Sequence, residues 1–168
     1  GSGSTRTITV VASGQGAVTI APSVTFSISD VAGNAQTTAG GTDRSVTFDS
    51  VAPTLTLEQA AGQADPTNGS SIAFTLSANE ALDSATITTS DFTVTNGGTP
   101  TITGTGSTRT ITVTASGQGN VTIAPSGTFS ISDIAGNAQG TAGGTDRSVT
   151  FDSIAPTVTL AQAGGQSD

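Results

Sequence analysis

Cysteine, histidine, methionine, tryptophan, tyrosine and lysine are all missing from this 168-residue chain, and phenylalanine occurs six times. Without imidazole or thiolate there is no Ser-His-Asp triad, no cysteine nucleophile and no soft-ligand zinc site. Without lysine there is no Schiff-base chemistry and no Lys–Asn isopeptide cross-link. The four cations are Arg6, Arg44, Arg109 and Arg147, set against 12 carboxylates, for a net charge of −8. So acidic a chain offers no electrostatic footprint for a phosphate backbone or an anionic membrane surface, and the sequence predicts no nucleic-acid partner. No apolar run approaches the roughly 20 residues of a membrane helix, so no membrane insertion is expected in this segment.

What remains is rich in threonine and glycine, the residues of exposed strands and turns, and it repeats. The run Gly3-Ser4-Thr5-Arg6-Thr7-Ile8-Thr9-Val10 returns as Gly106-Ser107-Thr108-Arg109-Thr110-Ile111-Thr112-Val113, and 108 − 5 gives a period of 103. The match runs from Gly1 against Gly104 to Asp65 against Asp168, with 11 differences in 65 positions. A period of this length suits one small domain per repeat. The seam falls at Phe48-Asp49-Ser50-Val51-Ala52-Pro53 and again at Phe151-Asp152-Ser153-Ile154-Ala155-Pro156, where proline restricts the next step. The expected domains are therefore 1–51, the C-terminal half of a repeat; 52–154, a complete repeat; and 155–168, the first strand of the next. Because nothing in the two partial pieces corresponds to 65–103, they are not expected to rebuild a whole domain head to tail, and the chain reads as a piece of a longer array.

Within 52–154 the apolar residues alternate with polar ones, as in strands with one buried face. Leu55 and Leu57, then Ile72, Phe74 and Leu76, then Phe92 and Val94, then Ile111 and Val113 set the pattern. Val121 and Ile123, Phe129 and Ile131, and Val149 and Phe151 continue it. Turn signals such as Asn68-Gly69, Asn96-Gly97-Gly98, Gly117-Gln118-Gly119 and Gly136-Asn137 separate the runs. Seven or eight short antiparallel strands in about 100 residues match an immunoglobulin-like β-sandwich; a parallel sheet is excluded because no crossover helix fits between the strands.

The runs Phe74-Thr75-Leu76-Ser77-Ala78-Asn79-Glu80, Ser90-Asp91-Phe92-Thr93-Val94-Thr95-Asn96-Gly97 and Ile131-Ser132-Asp133-Ile134-Ala135-Gly136-Asn137 resemble the bacterial Ig-like repeats of very large Gram-negative surface and biofilm adhesins. The Phe-Asp-Ser-Ile-Ala-Pro-Thr joint is similar to theirs. The resemblance implies an extracellular, cell-surface stalk that projects a distal binding domain, is not an enzyme, and is stiffened in some members by calcium.

Calcium is the one cofactor the residue types support, since it takes six to eight oxygen ligands. The candidate metal ligands are Asp133 and Asn137 of the Asp-x-x-Gly-Asn corner with Asp152, joined by Glu80, together with the joint carboxylate Asp49. The competing reading is that Asp and Asn at strand ends cap turns through Asx hydrogen bonds. Arg109, in phase with Ile111 and Val113, is expected to run its stem along the buried face and present its guanidinium to water or a carboxylate. The expected partners are neighbouring repeats of the same chain, with lateral self-association into a filament, or multivalent glycan binding, as the alternatives.

Overall fold

Threonine and β-branched residues alternating with small polar ones give strands, and the computed structural model, which describes residues 3–166, is all-β with several small antiparallel sheets, none closed. It divides between Val51 and Ala52 into two units.

The first unit contains β1 (Gly16–Thr19), β2 (Ile28–Ser29), β3 (Ala35–Gln36) and β4 (Ser45–Phe48). β1 pairs with β4 and β2 with β3, both antiparallel. Many of its apolar side chains face solvent, Ile8, Val10, Ile28 and Val46 each more than half exposed, while Val18 and Phe26 are half-buried.

The second unit carries β5 (Leu55–Gln59), β6 (Ser71–Ala78), β7 (Phe92–Thr95), β8 (Thr101–Thr103), β9 (Thr108–Thr114), β10 (Gly119–Pro125), β11 (Ile131–Ser132), β12 (Ala138–Gln139) and β13 (Ser148–Phe151). One sheet has the order β5-β6-β9-β8 and another β13-β10-β7, with β11 and β12 forming a short hairpin. Nine strand segments replace the seven or eight expected, because this two-residue hairpin is too short to show as alternation in sequence. The period of two sends Ile72, Phe74 and Leu76 of β6 and Ile111 and Val113 of β9 to one face, where each is fully buried. They join Val121 and Ile123 of β10, Val149 and Phe151 of β13, and Phe92 of β7 in a single apolar cluster, so both larger sheets supply the same core. Phe92 and Phe129 meet edge to face within it, their centroids 6.0 Å apart.

Two parallel bridges tie the sheets' margins together: Thr56 with Gly143 and Thr67 with Phe151. At the first, β5 is seated by Leu57 N–H on the Gly143 carbonyl (3.0 Å), Gly143 N–H on the Leu55 carbonyl (2.7 Å) and Gln59 N–H on the Asp146 carbonyl (2.6 Å). Gly144, at φ +102, is required there: a Cβ would overlap the Leu57 carbonyl.

Candidate functional site

The chemistry-bearing groups of the second unit sort to its two ends. β6 ends at Ala78, whose N–H donates to Ser107 O, and Leu82 then pairs with Asp133 across an antiparallel bridge. Glu80, Asp133 and Asn137 therefore share this end. β13 runs the other way, from Ser148 to Phe151, and Phe151 is opposite Gly119 and Thr67. Asp152, next in the chain, stands at the far end, where its N–H donates to Thr67 O. Within this unit the strand direction thus separates Asp152 from Asp133 and Asn137, which the sequence had grouped as one ligand set.

Asp133 is 2% exposed. Its two carboxylate oxygens accept from Asn137 N–H (2.9 Å) and Asn137 Nδ2–H (2.8 Å), while Asp133 N–H returns a bond to the Asn137 carbonyl. Gly136 supplies the positive φ that closes the turn. Burial pushes the Asp133 carboxyl up, but the Asn137 side chain and backbone, with the Gly136 and Ala135 amides, outweigh it and hold the group below its ordinary value. Asn137 turns a donor, its amide nitrogen, toward the carboxylate, which is the geometry of an Asx-capped turn. The first unit repeats it in the open: Asn34 donates to both oxygens of Asp30 (2.8 and 2.9 Å), and these bonds, the side-chain one foremost, lower the Asp30 carboxyl too.

The joint carboxylates have a similar local role. Asp152 accepts from Ile154 N–H at 2.9 Å, and Asp49 in the first unit accepts from Val51 N–H at 3.1 Å. Beside each stands a glutamine–serine clamp: Gln118 takes Ser153 N–H and donates to Ser153 Oγ, as Gln15 does with Ser50.

Arg109 departs from its expected placement. It is 2% exposed, so its guanidinium is withdrawn from the surface, and the partners it meets are carbonyls and a hydroxyl. It donates to the carbonyls of Gly106 (3.0 Å), Thr108 (3.0 Å) and Leu82 (3.5 Å) and to Ser84 Oγ (3.0 Å). Carbonyls at the opening of β9 and in the loop after β6 substitute for a counter-ion by satisfying donors one by one. Arg147 works alike, binding the Ala142 and Gly143 carbonyls at 2.6 Å each and the Leu57 carbonyl at 3.2 Å. Asp91, also buried and not singled out in the sequence, accepts from Thr88 N–H, Thr88 Oγ1–H and Ser130 N–H, pinning the loop that opens β7. Its Ser/Thr-x-x-Asp spacing, Thr88 to Asp91, was the available signal. Among the described residues every buried side-chain nitrogen and oxygen has a partner.

The threonines of β8 and β9 make an outward ladder, Thr101 opposite Thr112 and Thr103 opposite Thr110. Such a face suits solvent as a β-branched polar surface. Among the described residues no helix is long and apolar enough to cross a membrane. No protein-family model, curated protein or solved structure matches the chain.

Proposed function

We propose that the chain is a stretch of tandem Ig-like sandwich repeats serving as the structural stalk of an extracellular bacterial surface adhesin, a spacer that holds a distal binding domain away from the cell. The observation that carries this reading is that the repeat recurs as structure as well as sequence. Gly16↔Phe48, Val18↔Val46 and Ile28↔Gln36 become Gly119↔Phe151, Val121↔Val149 and Ile131↔Gln139 at a constant offset of 103. A part restated with so few changes is useful for its number: each copy adds a fixed length, and a short proline-containing joint limits bending. The single apolar core to which both larger sheets of the second unit contribute is compatible with a sandwich of about 100 residues. The carboxylate excess keeps neighbouring stalks apart. Asp91, Asp133 and Asp152 accept hydrogen bonds from nearby backbone amides in turns and loops, which supports a structural role for them.

Small-angle scattering on chains of two, three and four repeats tests the spacer role. A maximum dimension that grows by a constant step per repeat supports it; a dimension that stalls as repeats fold back on one another overturns it. Calcium enters this reading as a stiffener at the carboxylates named above. A thermal melt with millimolar calcium and with chelator decides that component: a rise of several degrees supports it, and superimposed curves remove it.

A further inference from the structure

Of the six asparagines in the chain, five have their side-chain amides bonded. Asn34 and Asn137 donate to Asp30 and Asp133 (2.9 and 2.8 Å), and Asn96 donates to the carbonyls of Gly117 (2.8 Å) and Gln118 (3.3 Å). Asn79 Oδ1 accepts Thr54 N–H (2.7 Å), and Asn120 Oδ1 accepts Thr150 Oγ1–H (3.1 Å). Asn68 is the sixth. It is exposed in the loop between β5 and β6, its amide meets no partner among the described residues, and the residue after it is Gly69.

That combination is reactive. The main-chain nitrogen of the following residue attacks an asparagine amide carbon when the side chain is free to swing back onto it and no Cβ blocks the approach. Gly69 has no Cβ to shield its nitrogen, and its N–H donates to the Thr67 hydroxyl, a neutral acceptor two residues back (3.1 Å). Asn96 also precedes a glycine, and the fold disarms it. Its side chain is drawn off to Gly117 and Gln118, its own carbonyl accepts Ser116 N–H (3.0 Å), and Gly97 is wedged against Val94 and Val113, where a Cβ would overlap both. The other four are followed by Ala35, Glu80, Val121 and Ala138, each with a side chain beside its nitrogen.

We propose that Asn68–Gly69 is a site of spontaneous deamidation through which the β5–β6 loop ages and loosens. The Gly69 nitrogen gives its proton to hydroxide and attacks Asn68 Cγ. A C–N bond forms, and Nδ2 departs as ammonia after taking a proton from water. The cyclic imide left behind takes up water: opening at Cγ gives aspartate, and opening at the main-chain carbonyl of residue 68 gives isoaspartate, whose backbone is longer by a carbon. Either product adds a carboxylate to a chain of net charge −8. The longer one also disturbs a span fixed at both ends. Thr67 N–H donates to the Thr150 carbonyl and Asp152 N–H to the Thr67 carbonyl (2.9 Å each), while Ala115 N–H donates to the Ser70 carbonyl (2.8 Å). A carbon inserted between these anchors pulls the loop off β13 or off the end of β9, so that this end of the unit opens more readily. The site stands independently of the stalk reading.

The test ages the folded 168-residue chain in mildly alkaline buffer, then unfolds it and cuts it with a glutamate-specific protease. Cleavage after Glu58 and Glu80 places Asn68 in fragment 59–80 and Asn96 in fragment 81–168, and sequencing by mass spectrometry assigns each converted residue. The expected result is aspartate and isoaspartate accumulating at Asn68, with Asn96 intact in the folded chain and converting once the chain is aged in denaturant. Gly69→Ala suppresses the conversion; its Cβ has room, 3.6 Å from Thr67 Oγ1, so the variant folds. The isoaspartate form, separated by chromatography, melts below the fresh chain, while Asn68→Asp, which carries the charge without the extra carbon, melts with it. Asn68 surviving as long as the five bonded asparagines, conversion undiminished in Gly69→Ala, or folded Asn96 converting as fast as Asn68 would each overturn the site. An isoaspartate form that melts with the fresh chain would overturn the loosening.

Discussion

The two copies of the repeated segment form the same hairpins and bury them differently. β1–β4 and β10–β13 share one register, and so do β2–β3 and β11–β12. Yet Ile28 and Val46 are exposed where Ile131 and Val149 are sealed. Arg6 keeps the two short-range carbonyl bonds of Arg109, to Gly3 and Thr5, and the longer ones to Leu82 and Ser84 belong to Arg109 alone. Register is therefore a local property, written by turn residues such as Gly33 and Gly136 and by the Asp–Asn pairs they join. Burial is a property of the whole domain and needs the strands contributed by 52–103.

The sharpest way to break the comparison is to shave the same side chain in each copy. Ile131→Ala removes a fully buried isoleucine and is expected to cost the second unit about 2–5 kcal/mol. Ile28→Ala, at a 60% exposed position, should stay within about 0.5 kcal/mol. Chemical denaturation of each variant reads the difference; equal costs would show that the first unit is packed as tightly as the second.

A smaller gap is expected at the arginines. Arg109→Ala removes the guanidinium donors from the Leu82, Gly106 and Thr108 carbonyls and is expected to cost about 1–3 kcal/mol, against less than about 0.5 kcal/mol for the exposed Arg6→Ala. Arg109→Lys is expected to recover little, since an ammonium cannot reach both the Gly106 and Thr108 carbonyls and the Leu82–Ser84 segment as the two guanidinium nitrogens do. Full rescue by lysine would mean that charge, not geometry, is what the site uses.

The mildest contrast is with pH. The Asp133 carboxyl is lowered in the folded unit from an ordinary value of 3.8, so its contribution is present above that value and is lost as pH falls below it through the folded value. Asp133→Asn and Asn137→Ala should flatten the acid limb of the stability curve of the second unit. An unchanged limb would mean that Asp133 does not govern acid unfolding of the unit.

Much of the strand pattern was legible because period-two alternation survives in every long strand, β6 and β9 above all. The Asp133–Asn137 corner was legible too, as one of two readings, because an Asp, a Gly and an Asn within five residues announce a turn. The division of the carboxylates between the two ends was not, since it depends on strand direction and not on spacing. Nor was the carbonyl shell of Arg109: its donors are met by main-chain atoms from Leu82, Gly106 and Thr108, and backbone carbonyls have no residue type to read. Asp91 was hidden for a related reason, because one of its partners, Ser130, lies 39 residues away.

The way the cations are held also bears on how long the protein resists proteolysis. A protease of trypsin-like specificity needs a lysine or arginine side chain to enter its pocket, and this chain has no lysine. In the second unit it meets Arg109, buried, and Arg147, tied to three carbonyls. Cleavage there must wait for the unit to open, so the lifetime of the repeat against such enzymes is set by its own unfolding equilibrium or rate.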